Sequence, residues 1–420
     1  MNNSNTAMDA NVRRYPWYLF FRDCYFWGPA FFLYFTSVLT LPQALWLESV
    51  YYIGVALLEV PSGWLSDRFG RRGTLVASSA CLALAYLLFW AGNSFPVFAL
   101  AQFFLAAGFA AASGTDTALH YESLADLGLA ADYTKMEGRA LGFSFRAGAL
   151  GALAGGLMAM DHLKWIYGAS FGAALISLGI ALTFTDPISV KRAPKLPMGR
   201  QLTGLLGKAL SKRLRFFTFY TLFMTVLVHF PYEFYQPYLA GIMASFGWAK
   251  GFTPGVTGTH LALTMFMGSL FTGISGRLRH RCQVRRVLLG AALFQVVLVI
   301  AMAVVVHPLV AGLLVFRTLS RAMYAPLVSA EVSPLLEDHQ RSTYLSLQSL
   351  LGRLCYGLVL LVLPLVSLVA GEGFRAVLAA AGGLGGVLWL ILNVLNFPRD
   401  NTHACCSGHG ETGHHSHGRP

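Results

Sequence analysis

The sequence predicts an all-α polytopic membrane protein, with twelve transmembrane helices in two pseudo-symmetric six-helix bundles around a central cavity. The first observation is composition: 55% of the 420 residues are hydrophobic and only 12% are charged, against about 25% charged in soluble domains. The second is the recurrence of apolar stretches of roughly 20 residues, the length that crosses a bilayer core. The third is an uneven distribution of basic residues over the connections between these stretches.

The predicted spans follow one another along nearly the whole chain. The first apolar stretch, residues 17–39, is too long for the apolar core of a signal peptide, so we expect it to remain as a span. The twelve predicted spans cover residues 17–40, 44–66, 74–92, 97–121, 139–160, 163–185, 216–240, 255–275, 287–306, 309–332, 342–370 and 376–396.

Basic residues predict the orientation of these spans. If the N-terminus is cytoplasmic, the cytoplasmic segments hold 23 of the 31 Lys and Arg residues and the opposite connections hold three. Because basic loops stay in the cytoplasm, we expect both termini there, in a multi-pass protein of the cytoplasmic (inner) membrane. The net charge of +12 follows from this bias, and no nucleic-acid partner is expected.

The longest polar connection divides the spans into two groups of six. A weak internal repeat supports the division, because similar segments beginning at Arg139 and Arg341 open spans five and eleven. Two parallel six-helix halves joined by a linker are a plan that secondary transporters use. The predicted organisation is a cytoplasmic N-terminus (1–16), a first bundle (17–185), a basic cytoplasmic linker (186–215), a second bundle (216–396) and a cytoplasmic His/Cys-rich tail (397–420).

The connection after span two has a distinctive spacing of residues: Gly63, Leu65, Asp67, Arg68, Gly70, Arg71 and Arg72. With the twelve spans and the central linker, it resembles the loop signature of the major facilitator superfamily, Gly-x-Leu-x-Asp-Arg-x-Gly-Arg-Arg/Lys. The resemblance implies a secondary transporter whose loop helps to gate the cytoplasmic side. It also implies that Asp67 lies at a helix N-terminus, which stabilises a carboxylate, and that an acid closing span four, Glu122 or Asp126, pairs with a loop arginine. The alternative is a positive-inside turn with no gating role.

Span five contains a second pattern of small residues. Antiporters of the superfamily often carry Gly-Pro-x-x-Gly-Gly there, and Gly151, Gly155 and Gly156 match while Ala152 replaces the proline. The same residues would equally suit close packing between membrane helices. The family's drug exporters tend to have an arginine in span four where this chain has Phe104, which argues against a simple drug–proton antiporter.

Ionisable side chains inside the spans are the candidates for transport chemistry, because each costs at least roughly 2.5–3.5 kcal/mol at a helix centre. They concentrate in spans one, four, seven and ten, which resemble the cavity-lining helices of the family. The predicted proton-coupling residues are Asp23, Glu233, Asp116, His120 and His229. The predicted substrate-binding residues are Arg22, Arg317, Arg321, Arg146, Arg353 and Glu59.

Several of these residues lie four positions apart and hence on one helix face: Asp116 and His120, His229 and Glu233, Arg317 and Arg321. An acid beside a histidine in a dry cavity can take and release protons. The alternative is that the charges neutralise one another as structural pairs. Because five arginines face four carboxylates in the spans, the sequence favours a zwitterionic or anionic organic substrate, which guanidinium groups bind well.

The C-terminal tail is rich in residues that bind Zn, Ni or Cu. Its spacing matches no structural zinc module, so a flexible tail without a metal is the alternative. The candidate metal ligands are His403, Cys405, Cys406, His409, His414, His415 and His417.

Together these features predict a secondary active transporter that couples proton movement to export of a small zwitterionic or anionic organic solute by alternating access. The alternatives are a proton-coupled importer of an anionic metabolite and an exporter of a metal or metal chelator regulated through the tail. No nucleotide-binding loop or catalytic triad is evident, so we expect neither an ATP-driven pump nor an enzyme. We expect no cofactor beyond the proton gradient and a possible tail metal, with a small-molecule substrate, the lipid bilayer and a monomeric state.

Overall fold

The structure, a computed structural model, describes residues 3–187, 207, 209–271, 283–332, 335, 338–370 and 373–395. Within these ranges the regular secondary structure is helical. The predicted all-α class is therefore confirmed. Most of the predicted linker and the whole predicted tail lie outside the described residues, so the domain boundaries stay predictions.

Residues 3–187 form eight α-helices. They are α1 (Asn3–Arg22), α2 (Phe31–Val38), α3 (Leu41–Phe69), α4 (Arg71–Ala91), α5 (Phe95–Ala112), α6 (Thr115–Asp126), α7 (Tyr133–Asp161) and α8 (Trp165–Leu182). Local sequence sets the start of α3, where Thr40 and Gln43 form a reciprocal capping box that satisfies exposed backbone groups.

The second half contributes seven more α-helices in the described ranges. They are α9 (Arg215–Ser245), α10 (Thr253–Phe271), α11 (Val284–Val304), α12 (Pro308–Leu314), α13 (Leu319–Val332), α14 (Asp338–Ala370) and α15 (Phe374–Val394). Every predicted span overlaps one of the fifteen helices or two consecutive ones.

Eight helical segments of the described chain are long and apolar enough to cross a membrane. They are Leu41–Glu59, Arg71–Ala91, Phe95–Asp126, Arg139–Asp161, Trp165–Leu182, Val284–Val304, Leu347–Leu365 and Phe374–Val394. The other four predicted spans correspond to α1–α2, α9, α10 and α12–α13. The total of twelve therefore stays a prediction.

The break between α1 and α2 exposes backbone groups that need hydrogen-bond partners inside an apolar bundle. The Gln236 side chain of α9 supplies them: its Oε1 accepts from the amides of Phe32 (2.9 Å) and Leu33 (3.2 Å), and its Nε2 donates to the Gly28 carbonyl (3.0 Å). The Tyr235 hydroxyl donates to the same carbonyl. The second half of the chain thus stabilises the break in the first.

The most extensive contacts between the halves are those of α3 with α14 and of α7 with α10. We call the end of the bundle where α3 meets α4 the near side, which the sequence predicts to be cytoplasmic, and the opposite end the far side. Towards the far side, the Ser49 hydroxyl donates to the Gly357 carbonyl at 2.8 Å. Gly156 and Gly258 let α7 and α10 approach closely, since a Cβ on Gly258 would lie 2.5 Å from the Ala152 carbonyl oxygen.

Candidate functional site

A cavity of about 540 Å³ lies between the two halves, within the range of small-molecule sites. The first half supplies one wall, and aromatic rings cover much of it. The second half supplies three arginines to the opposite wall. The polar lining residues are Glu48, Gln102, Ser113, Thr225, His229, Arg317, Thr318, Arg321, Ser349 and Arg353.

Arg317 is the most buried of these arginines, with 2% of its surface exposed. Its Nη1 donates to Thr264 Oγ1 (2.8 Å), His260 Nδ1 (3.2 Å) and the Leu314 carbonyl (3.2 Å). Its guanidinium lies 4.5 Å from the centre of the Tyr235 ring, a favourable cation–π distance. Nη2 is buried without a hydrogen-bond partner in the described part of the chain, and no described carboxylate pairs with Arg317.

The other two cavity arginines differ in their partners. Arg321 is exposed to the cavity. Arg353 lies 3.4 Å from Glu59 Oε2, and this ion pair links α14 to α3 across the two halves. Three of the predicted substrate-binding arginines thus line one cavity, whereas Glu59 contacts Arg353 and is not among the residues that line it.

Glu48 is the acid on the cavity wall of the first half, and it was absent from the residues proposed from sequence. Its side chain is buried, and the Gln102 amide donates to its Oε1 at 3.1 Å. The signal was available, since Glu48 is an ionisable residue inside predicted span two. Its position on the cavity, however, depends on the rotation of α3, which only the tertiary structure shows.

Glu233 of α9 is fully buried close to this site. The Tyr52 hydroxyl of α3 donates to its Oε1 at 2.7 Å, while its Oε2 has no hydrogen-bond partner among the described residues. The predicted neighbour His229 instead uses Nδ1 on the Thr225 carbonyl, at 2.5 Å, and packs against the rings of Tyr52 and Tyr356. The four-residue spacing therefore puts His229 and Glu233 on one helix without pairing them.

Arg22 connects the two acids predicted in spans one and four. Its guanidinium binds Asp23 through two hydrogen bonds (2.7 and 2.9 Å) and Asp116 through one of 2.5 Å. Asp23 also accepts from the hydroxyls of Tyr25 (2.7 Å) and Ser144 (2.6 Å). Asp23 and Asp116 are thus held in a satisfied ion-pair network of the first half.

His120 pairs with a different acid from the one its spacing suggested. Its Nδ1 lies 2.6 Å from Glu137 Oε2 of α7, while Asp116 faces Arg22. The Tyr15 ring stacks on the imidazole and its hydroxyl donates to Glu137 Oε1 at 3.2 Å. Sequence reasoning missed Glu137 because it lies before predicted span five.

The predicted gating loop forms a charged cluster on the near side. Arg71 contacts Glu122 through Nη2 (3.0 Å) and Nε (3.3 Å), and its Nη1 donates to Ser66. The Arg72 amide donates to Asp186 Oδ1 at 2.8 Å, so Asp186 is a carboxylate at the N-terminus of α4. Gly70 has φ +94°, which favours glycine. The structure does not describe the surroundings of Gly63 or the side chains of Asp67 and Arg68.

Two further predictions concern Arg146 and the C-terminal tail. Arg146 is exposed, 5.4 Å from the Phe143 ring centre, and is not among the residues lining the cavity. The tail histidines and cysteines from His403 to His417 lie outside the described residues. Within the described ranges, no three His, Cys, Asp or Glu side chains come together as a metal site.

A helical bundle whose two halves enclose a central cavity lined by charged and aromatic side chains is typical of a multi-pass membrane transporter. The family model of the Major Facilitator Superfamily matches residues 19–250, and the chain belongs to that family. This confirms the family that the loop signature indicated. No curated protein matches the chain in sequence.

Solved transporter structures share the fold at low sequence identity. The nucleoside transporter NupG is similar with a TM-score of 0.76 and 12% identity, over 92% of this chain and 98% of that one. The D-xylose-proton symporter gives 0.65 and 16%, over 93% and 98%. The bacterial homolog of the human lysosomal transporter Spinster, inward-facing and unoccupied, gives 0.68 and 14%, over 94% and 98%. At such identities the likeness shows the fold alone.

Proposed function

We propose that the protein is a proton-coupled secondary transporter that exports a small organic solute carrying an anionic group. The observation that carries the proposal is Arg317, a buried guanidinium on the cavity wall with no carboxylate partner in the described structure. Burying an ion without a counter-charge costs several kcal/mol. A carboxylate or phosphate on the solute would offset this cost with strong charge-assisted hydrogen bonds.

The exposed Arg321 supports an anionic solute further. It lines the same cavity from the first turn of α13, whereas Arg317 lies in the break between α12 and α13 and not on the same helix as predicted, so a planar acid group could contact both guanidinium groups. Arginine favours such two-point contacts because its donors form a rigid fork. A site for simple lipophilic cations would need an excess of acids instead.

We place the coupled proton on Glu233. Its burial and its unpartnered Oε2 favour neutralisation by a proton, because an isolated buried carboxylate is costly. Tyr52 donates to it from the other half, so a change in its charge would act on a contact between the halves. Asp23 is a weaker candidate because Arg22, Tyr25 and Ser144 already satisfy its oxygens.

The direction of export rests on span five and its resemblance to antiporters. Gly151, Gly155 and Gly156 line the face of α7 that approaches the α1–α2 break and α10. A Cβ on Gly155 would overlap the Phe26 carbonyl oxygen, and one on Gly151 would lie 3.0 Å from the Tyr25 amide nitrogen. Gly151 and Gly155 thus allow the α1–α2 break to pack on α7 within the first half, and Gly156 allows a close contact with α10 of the second half at the position of the antiporter pattern.

The test uses everted membrane vesicles that contain the full chain and a panel of radiolabelled carboxylates, amino acids and phosphate esters. We expect accumulation of at least one of them when the vesicle interior is acidic, and loss of this pH-driven accumulation in Glu233→Gln. The matched control Asp161→Asn changes an exposed acid at the end of α7 and should behave as wild type. Accumulation that does not depend on the pH gradient would refute proton coupling. Full pH-driven accumulation in Glu233→Gln would refute the assignment of the coupled proton to Glu233. Uptake only into right-side-out vesicles would instead indicate an importer.

A further inference from the structure

The central cavity is polarised between its two walls. The wall from the first half presents Glu48 of α3, which is 5% exposed and has one hydrogen-bond partner, Gln102, among the described residues. Glutamine is neutral, so it does not balance the charge of a carboxylate. Among the described residues, no Lys, Arg or His forms an ion pair with Glu48.

The wall from the second half has the opposite charge. Arg317 and Arg321 both line it, and neither forms an ion pair with an acid in the described ranges. Arg353 also lies there, but Glu59 at 3.4 Å balances its charge. Glu48 and the two unpaired arginines do not approach within ion-pair distance of each other, although they border one cavity.

We propose that the transported solute is a zwitterion, with its cationic group at Glu48 and its anionic group at Arg317 and Arg321. The inference rests on the proposed function and deepens it, because an anion alone would satisfy only the arginine wall. A solute with both charges would complete both walls at once. It would also form charge-assisted hydrogen bonds at each end, which are stronger than neutral ones.

The surrounding side chains agree with such a ligand. Trp27, Tyr51 and Tyr52 line the cavity from the half that carries Glu48, and Tyr232 lines it from the other half. Aromatic faces stabilise an ammonium group through cation–π contacts. A cationic group near Glu48 would thus have the carboxylate as its counter-charge and aromatic rings within the same cavity.

The probes are matched series of small molecules that differ only in charge. ω-Amino carboxylates from β-alanine to ε-aminocaproate form the zwitterions, propionate to caproate the anions, and propylamine to hexylamine the cations. Binding to the purified full chain is measured by ligand-induced stabilisation against heat. For at least one length we expect the zwitterion to bind about tenfold or more tightly than the anion of that length, from one added charged hydrogen bond. The amines should bind more weakly than either.

Variants then assign the two ends. Glu48→Gln should remove the preference for the zwitterion while the anions bind as before, and Arg317→Gln should weaken both series. Asp161→Asn and Arg286→Gln, which alter exposed residues away from the cavity, are the matched controls. Measuring binding separately from transport keeps the result independent of the proton step.

Three other outcomes would each contradict this inference. If anions bind as tightly as zwitterions at every length, the solute is a simple anion, so this inference fails while the proposed function stands. If Glu48→Gln keeps the zwitterion preference but loses pH-driven transport, Glu48 carries a proton, and the inference also fails. If neither anions nor zwitterions stabilise the wild type, both the inference and the anionic solute are wrong.

Discussion

The substitution Arg317→Gln tests whether this arginine is retained for binding or for stability. In the structure the guanidinium makes three hydrogen bonds to neutral groups and a cation–π contact with Tyr235. Those interactions are together worth about 3–5 kcal/mol. The desolvation of an unpaired ion costs a similar amount, several kcal/mol. The free energy of unfolding should therefore change by less than about 1 kcal/mol.

Binding of the solute should change much more. Loss of the charge-assisted contact to an anionic group removes about 3 kcal/mol, which is roughly a hundredfold rise in Kd because each 1.4 kcal/mol is tenfold. Arg317→Lys should lie between the wild type and Arg317→Gln, since lysine keeps the charge but not the planar fork. The pattern expected is thus a large loss of affinity at nearly constant stability.

The assay combines thermal unfolding of the purified protein with binding of the carboxylate and zwitterion series. Arg286→Gln is the control, because Arg286 is exposed at the start of α11. A fall in unfolding free energy of more than about 3 kcal/mol with unchanged affinity would show that Arg317 acts structurally. That result would refute the reasoning that its counter-ion comes from the solute.

Two further predictions concern the helix contacts and the gate. Gly155→Ala should lower the free energy of unfolding, measured by thermal unfolding, by about 1–3 kcal/mol, because the new Cβ overpacks against the Phe26 carbonyl. The control Gly172→Ala places its Cβ in open space and should leave the free energy of unfolding unchanged. Equal effects of the two substitutions would argue against the close contact at Gly155. Glu122→Gln should slow solute turnover with little change in KM, because Arg71 loses its ion pair with Glu122; a changed KM with normal turnover would contradict a gating role.

Much of the fold was predictable because it depends on local sequence. An apolar stretch of about 20 residues identifies a membrane helix wherever it packs, and the loop ending at Arg72 identified the family. The breaks in spans one, four and ten were not predicted. The break at residues 23–30 is possible because Gln236, about two hundred positions away, satisfies its backbone groups, and no local pattern announces such a partner.

The candidate site was predictable in part for the same reason. Ionisable residues inside spans stand out in the sequence, and Arg317 and Arg321 were found this way. The pairing of these residues was not, because four-residue spacing shows that two side chains share a face but not what that face meets. His229 thus contacts the Thr225 carbonyl and not Glu233, and Tyr52 of α3 donates the hydrogen bond to Glu233.

The sequence by itself determined the helical class, the family and the types of charge available to a transporter. The tertiary structure alone decided which of those charges meet, because the rotation and tilt of each helix depend on its packing against neighbours. Glu48 shows the difference most clearly. In the sequence it is one acid in an apolar stretch, and in the structure it faces a cavity whose opposite wall is cationic.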